Sequence, residues 1–223
     1  MALQVQGSGG VVADVGGTTF RALNTQVKPI EYGALGHYRT AVRISSTAAQ
    51  AANSGILELR NTHATNLIVL TRLSLQAIQT AAGTLQENSL DCYRCTSFTV
   101  SSATNTVTPV SSVKRTGMAA YPGGAAVRHL TLAGAAAGMT GGTRTKDTQF
   151  FATLPYMVTA GVATATFTPP WWGPKDCLDD VNGSHPFVFA QNEGLWIENR
   201  VLNVTSYGMT WYLDMSWAEV TAY

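Results

Sequence analysis

The sequence predicts an all-β fold: a β-sandwich, of the jelly-roll kind, preceded by an extended N-terminal arm. Three observations carry this prediction. Apolar and polar residues alternate over several segments, the period of a strand with one buried and one wet face. These segments are short, and Gly/Ser/Thr-rich loops rather than long amphipathic helices separate them. Hydrophobic residues make up 45% of the 223, enough for a real core. Charged residues make up only 12%, about half the ordinary share. Such a surface suits a β-rich protein that buries much of itself against partners better than it suits a free enzyme. No internal repeat of about 20–50 residues occurs, which disfavours a propeller or solenoid.

Residues 1–33 read as the arm and residues 34–223 as the sandwich domain. In the arm, Gly7-Ser8-Gly9-Gly10 and Gly16-Gly17 punctuate two β-prone pieces, Val11-Val12-Ala13 and Thr18-Thr19-Phe20. Gly-rich chain packs no core of its own, so we expect it to order against a neighbour. The body opens with Tyr38, Thr40, Val42 and Ile44 alternating with Arg39, Ala41 and Arg43. A small-residue stretch at 47–55 suits a helical turn, and Ile56 to Arg60 alternates again. Asn66 to Ile78 gives the strongest strand, with Leu67, Val69, Thr71, Leu73 and Leu75 on one face. Leu90 to Ser101 follows as a strand, Ser101 to Ser112 as a loop, and Val127 to Leu132 as a short strand. Ala133 to Gly142 reads as a Gly/Ala-rich loop, then Thr148 to Val158 and Ala163 to Phe167 as strands. Pro169-Pro170-Trp171-Trp172-Gly173-Pro174 reads as a loop, because proline lacks a ladder donor.

The last third is clearest. Pro186 to Ala190 and Leu195 to Val204 are strands around the turn Asn192-Glu193-Gly194, where Gly supplies a positive φ. Ser206-Tyr207-Gly208 is expected to close a hairpin onto Met209 to Val220. There Met209, Trp211, Leu213, Met215 and Trp217 form a core face, each large side chain contributing about 1.5–3 kcal/mol when buried.

The chemistry-bearing patterns each fail a physical test. The formal net charge is +1 and the fourteen Lys and Arg are scattered, so nucleic-acid binding by counterion release is not expected. The first residues lack the basic and apolar regions of a signal peptide, and no apolar run reaches the roughly 18 residues that cross a membrane. Asp14-Val15-Gly16-Gly17-Thr18-Thr19 resembles the phosphate loop of actin-like sugar kinases, but loop and sheet follow it instead of alternating helices and strands. Cys92-Tyr93-Arg94-Cys95 has zinc-like spacing, yet Cys177 is distant in sequence and the four histidines show no paired spacing. In a strand the two thiols point to opposite faces, one buried and one exposed. Three cysteines, an odd number, also argue against a disulfide framework. Asp176, Asp179 and Asp180 offer carboxylates for glycoside hydrolysis or calcium. A solvated loop is the plainer reading, with Trp171 and Trp172 packed on the body or on a neighbour, or offered to a sugar ring. We therefore expect no catalytic residue, cofactor or metal.

Three ordered stretches carry a resemblance. They are Glu31-Tyr32-Gly33-Ala34-Leu35-Gly36-His37-Tyr38-Arg39, then Gly142-Thr143-Arg144-Thr145-Lys146-Asp147-Thr148-Gln149, then Ala190-Gln191-Asn192-Glu193-Gly194 leading into Trp217-Ala218-Glu219-Val220. In this order they resemble structural proteins encoded by tailed phages and phage-like metagenomic contigs. The resemblance implies a virion protein assembled in the host cytoplasm. It supplies no catalytic residue and no position on the particle. With the low charge and the arm, the expectation is a capsid decoration (cement) protein on the outside of the head. Its partners would be the major capsid protein and copies of itself, as a trimer or dimer, without nucleic acid or membrane. The expected contact residues are Val11, Val12 and Phe20 in the arm and Trp171 and Trp172 as an aromatic anchor. The alternatives are a tail, collar or spike component binding a host receptor or glycan, and a jelly-roll major capsid component.

Overall fold

The computed structural model describes residues 3–6, 12–15, 35–46, 50–103, 107–110, 113–114, 124–130, 138–140, 142–160, 171–178, 186–201 and 208–221. The chain divides into two units, Met1–Ile30 and Glu31–Tyr223. In the first, β1 (Leu3–Gln6) pairs antiparallel with β2 (Val12–Val15), Leu3 opposite Val15. Val12 thus belongs to β2, whereas Val11 and Phe20 lie outside the described residues.

The second unit is built from antiparallel strands, with no helix among the described residues. In chain order they are β3 (His37–Ser46), β4 (Ser54–Asn61), β5 (Leu67–Gln79), β6 (Gln86–Val100), β7 (Val107–Val110), β8 (Val113–Lys114) and β9 (Ala125–Leu130). Then come β10 (Thr143–Lys146), β11 (Ala152–Val158), β12 (Trp171–Asp176), β13 (Phe187–Phe189), β14 (Gly194–Asn199) and β15 (Met209–Val220). One sheet runs β10-β6-β14-β4-β9-β7 with β11 also on β6; the other runs β12-β5-β15-β3-β8 with β13 also on β5. The two sheets pack face to face as a β-sandwich.

β10 and β11 follow one another along β6, and β12 and β13 do so along β5. Each couple acts as one interrupted strand. The pairing is then nested: β3 with β15, β4 with β14, β5 with β12/β13, β6 with β10/β11. A long antiparallel ribbon, doubled back and rolled into two sheets, has this pattern. The segment between β6 and β10 adds β9 outside β4 and β8 outside β3. Glu219 of β15 pins that segment, accepting the Gly124 N–H at 2.7 and 2.9 Å.

The core lies between the sheets. Met209, Trp211, Leu213, Met215 and Trp217 are all buried, as the alternation predicts, and face Leu57, Leu59, Leu90, Leu195 and Ile197 in the same cluster. Trp217 stacks on Tyr38, with ring centroids 5.8 Å apart and planes 17° apart.

Period two is right for half of β5 and inverted for the rest. Leu73, Leu75 and Ala77 are core residues, but so are Ile68 and Leu70, while Thr71 and Arg72 are both exposed. The pairing with β15 shifts here, from Ser216 opposite Arg72 to Trp217 opposite Leu70. One extra residue bulges at Thr71 and flips the parity. The Thr71 hydroxyl donates to Ser216 O at 3.0 Å beside the bulge.

Prolines mislead in a second way. Trp171–Asp176, expected as a loop, is the strand β12, with a register shift between Trp172 and Lys175 around Gly173-Pro174. Pro109 lies in β7, within the expected 101–112 loop, and Pro155 lies in β11. All three strands are edges, where a proline costs no ladder bond.

Two turns also differ from expectation. The positive φ at 192–194 belongs to Asn192, at 64°. Gly194 is needed for space, since a Cβ there would lie 1.9 Å from Leu59 O. We predict that Gly194→Ala costs stability near the top of the about 1–3 kcal/mol overpacking range; an unchanged urea midpoint would refute the close approach. β14 and β15, expected to form a hairpin across 206–208, belong to different sheets. Asn53, with φ at 57°, marks a turn just before β4, while residues 47–49 of the expected helical turn lie outside the described residues. The expected strand 163–167 lies outside the described residues.

Candidate interaction surfaces

In most antiparallel sandwiches each sheet keeps a wet outer face. The seven-stranded sheet has one that is covered over β4, β14 and β6, while Met157 at its β11 end is 47% exposed. Register places Trp196 of β14 between Glu58 of β4 and Tyr93 of β6, all pointing away from the core. Gly55 leaves the room that the Trp196 indole fills, since a Cβ there would lie 2.0 Å from its ring. Arg144 and Lys146 of β10, the strand beside β6 at the sheet edge, reach over this row. The Arg144 guanidinium lies 3.4 Å from the Trp196 ring centroid and the Lys146 amine 4.1 Å from that of Tyr93.

Two carboxylates are sealed beneath. Glu58, with no exposed surface, accepts from Ser102 N at 3.0 Å and Ser102 Oγ at 2.8 Å. Arg144 stands 3.6 Å and Arg128 3.9 Å from it. Glu198 accepts from Lys146 at 2.6 Å and from Trp196 Nε1 at 2.9 Å. Burial pulls the Arg144 guanidinium below its usual pKa, and Glu58 opposes that shift. Each carboxylate already has its own cation, so this arrangement holds the sheet face rather than offering an open pair of acids.

The C-x-x-C motif belongs partly to this face. Cys92 and Cys95 are both buried, not one buried and one exposed as expected. The cause is the cover on the outer face. Burial pushes the Cys95 thiol up to about 12, so it should stay silent towards neutral-pH thiol reagents in the native protein. Fast native-state labelling of Cys95 would contradict this. Among the described residues no group of His, Cys, Asp and Glu is arranged to hold a metal ion.

The six-stranded sheet presents the opposite case. Its outer face is a grid set by register. Tyr212 stands between Arg43 and Gln76, Asp214 between Ala41 and Ser74, and Ser216 between Arg39 and Arg72. The small Ala41 and Ser74 leave a shallow groove of about 370 Å3 beside Tyr212, which is 37% exposed. The Arg39 guanidinium clasps Asp214, with Nε at 2.9 Å and Nη2 on the second oxygen. Arg72 lies 4.0 Å from Asp214 and 3.9 Å from Asp176. Charges thus alternate across β3, β15, β5 and β12. Exposed pairs like these add little stability. They instead hold Arg and Tyr side chains, the types enriched at protein interfaces, in fixed positions on a rigid sheet.

Trp171 and Trp172 lie on β12, opposite Ile78 and Ala77. Asp176 faces Arg72, while Asp179 and Asp180 lie outside the described residues. Sequence reading missed Tyr212 and Arg43 as a candidate surface. The signal was present in the polar half of each alternating strand, which was read only as wet. Comparison with family models, curated proteins and solved structures returned no match to this chain.

Proposed function

We propose that this chain is a phage virion structural protein, a decoration protein that binds the outer surface of the head shell. The carrying observation is a contrast between the outer faces: one is covered by its own charges over β4, β14 and β6, and the other offers an open Arg/Tyr grid. A partner of complementary charge pattern, here the major capsid protein, would bury that grid. The nested strand pairing supports assigning the sandwich as a jelly roll, an architecture shared by capsid and lectin domains. The low charge content and the ordered resemblance to tailed-phage structural proteins point the same way. Residues 1–30 supply a second contact, and repetition on a symmetric shell multiplies weak contacts.

The test is occupancy on purified particles. Combining Arg43→Glu with Tyr212→Ala should lower occupancy at least about tenfold, the equivalent of about 1.4 kcal/mol per copy. Deleting residues 1–30 should abolish binding while leaving the sandwich folded. Unchanged occupancy in both variants would sink the proposal. A few copies per particle would indicate a tail, collar or spike role, and loss of the shell itself on gene deletion a major capsid role.

A further inference from the structure

The cation cover on the seven-stranded sheet ends at Tyr93. Beyond it Leu90 and Cys92 belong to the core, so the alternate residues Glu87, Ser89 and Asp91 of β6 point outward. Their cross-strand partners on β11, Met157, Pro155 and Thr153, do the same. A shallow groove of about 430 Å3 lies here, lined by Glu87, Ser89, Thr153, Pro155, Arg200 and Val201. Its charged side is held in place. Arg200 N–H donates to Ser89 O at 3.0 Å, and the Asn88 amide bonds Val201 N–H at 3.2 Å and Val201 O at 3.4 Å. The Arg200 side chain is 61% exposed and stands 3.9 Å from Asp91. Asp91 is already engaged, accepting from Ser89 Oγ at 2.9 Å and Thr153 Oγ1 at 2.6 Å. Glu87 is exposed on the same groove and has no cation partner among the described residues. The β11 side is apolar: Pro155 and Met157 are exposed, and so is Phe150, edge-on to Tyr93 beyond Thr153.

We propose that this groove is the two-fold interface of a homodimer, in which Glu87 of each copy pairs with the partner's Arg200. Two opposite charges on one patch make that patch self-complementary. A two-fold axis running between them sets each charge opposite its counterpart, so one contact forms two ion pairs. A ring or filament would need two different patches, whereas Glu87 and Arg200 line a single groove. Ion pairs on an open surface hold little. Here Met157 and Pro155 border the pairs and lose water in the same contact, and Met and Arg are types enriched at interfaces. The copies meet by face and not by edge. Lys175 Nζ donates to Thr153 O at 2.7 Å, and Pro155 has no N–H, so the free edge of β11 is a poor template for another strand. The inference does not rest on the decoration reading, because the Arg43/Tyr212 groove lies on the other sheet and stays open in such a dimer.

The experiment is sedimentation velocity of the full chain at micromolar concentration. The expected species is a dimer. Glu87→Arg alone and Arg200→Glu alone should each raise the dimer dissociation constant at least about tenfold. Mixing these two variants in equal amounts should restore a dimer, because one then brings two cations to the groove and the other two carboxylates. Arg43→Glu with Tyr212→Ala should leave the dimer intact, which separates this interface from the capsid-binding face. A monomer or trimer for the unsubstituted chain, single reversals without effect, or no recovery on mixing would each overturn the proposal. Salt gives a reading that needs no variant. The dissociation constant of the unsubstituted dimer should rise with ionic strength, and a salt-independent dimer would also overturn the pairing.

Discussion

Trp217→Ala is expected to lower unfolding free energy by about 3–5 kcal/mol, the range for deleting a buried aromatic from a packed core. Trp217 has no exposed surface, stacks on Tyr38 and sits in β15 between β5 and β3. Its loss opens a cavity at the middle of a sheet, where neighbouring strands cannot close in without breaking register. Small domains hold only about 5–15 kcal/mol in total, so this variant should show a large fall in urea midpoint. Tyr212→Ala, on the same strand but on the open face, should change stability by no more than about 0.5 kcal/mol. Chemical denaturation of the two variants side by side checks both statements. Equal losses would mean that the open face is not open.

Glu58→Ala is expected to cost a similar amount, about 3–5 kcal/mol, for a different reason. The carboxylate answers Ser102 N–H, Ser102 Oγ and the half-buried Arg144. Removing it strands a guanidinium under the sheet cover and leaves a buried N–H unpaired. Replacing Glu58 and Arg144 together by Leu and Met should recover most of the loss, since apolar groups of similar volume often equal a buried ion pair. A double variant as unstable as Glu58→Ala alone would show that the cost comes from lost shape and not from stranded charge. A double-mutant cycle in urea measures the difference.

The sandwich was legible because alternation is a local property. Met209 to Trp217 announces its buried face without reference to any partner strand. What escaped were the features set by partners. The bulge at Thr71 depends on β15, and nothing in Leu67 to Ile78 marks where the parity turns over. Trp171–Asp176 was refused as a strand on its prolines, although an edge position makes proline harmless, and Val107–Val110 was refused on its Ser/Thr/Asn-rich surroundings. Edge or centre is a fact of topology. The sealed outer face was hidden for the same reason: Glu58, Tyr93, Arg144 and Trp196 are far apart in sequence and meet only once β4, β6, β10 and β14 are in place. The strands on either side of Ser206-Tyr207-Gly208 looked like a hairpin, because sequence shows a turn but not which sheet the chain turns into.

The nested pairing has a consequence in time as well as space. The strands at the middle of each sheet, β14 and β15, come from residues 194–220, after almost all their neighbours have been made. On the ribosome β3 and β5 would wait without a bridge, as would β4 and β6, so neither sheet is continuous before those residues emerge. Closure over such long sequence separations is slow, and the waiting strands are open to pairing with other chains. Folding should therefore follow synthesis rather than accompany it, and the yield of soluble protein should fall steeply as expression temperature rises.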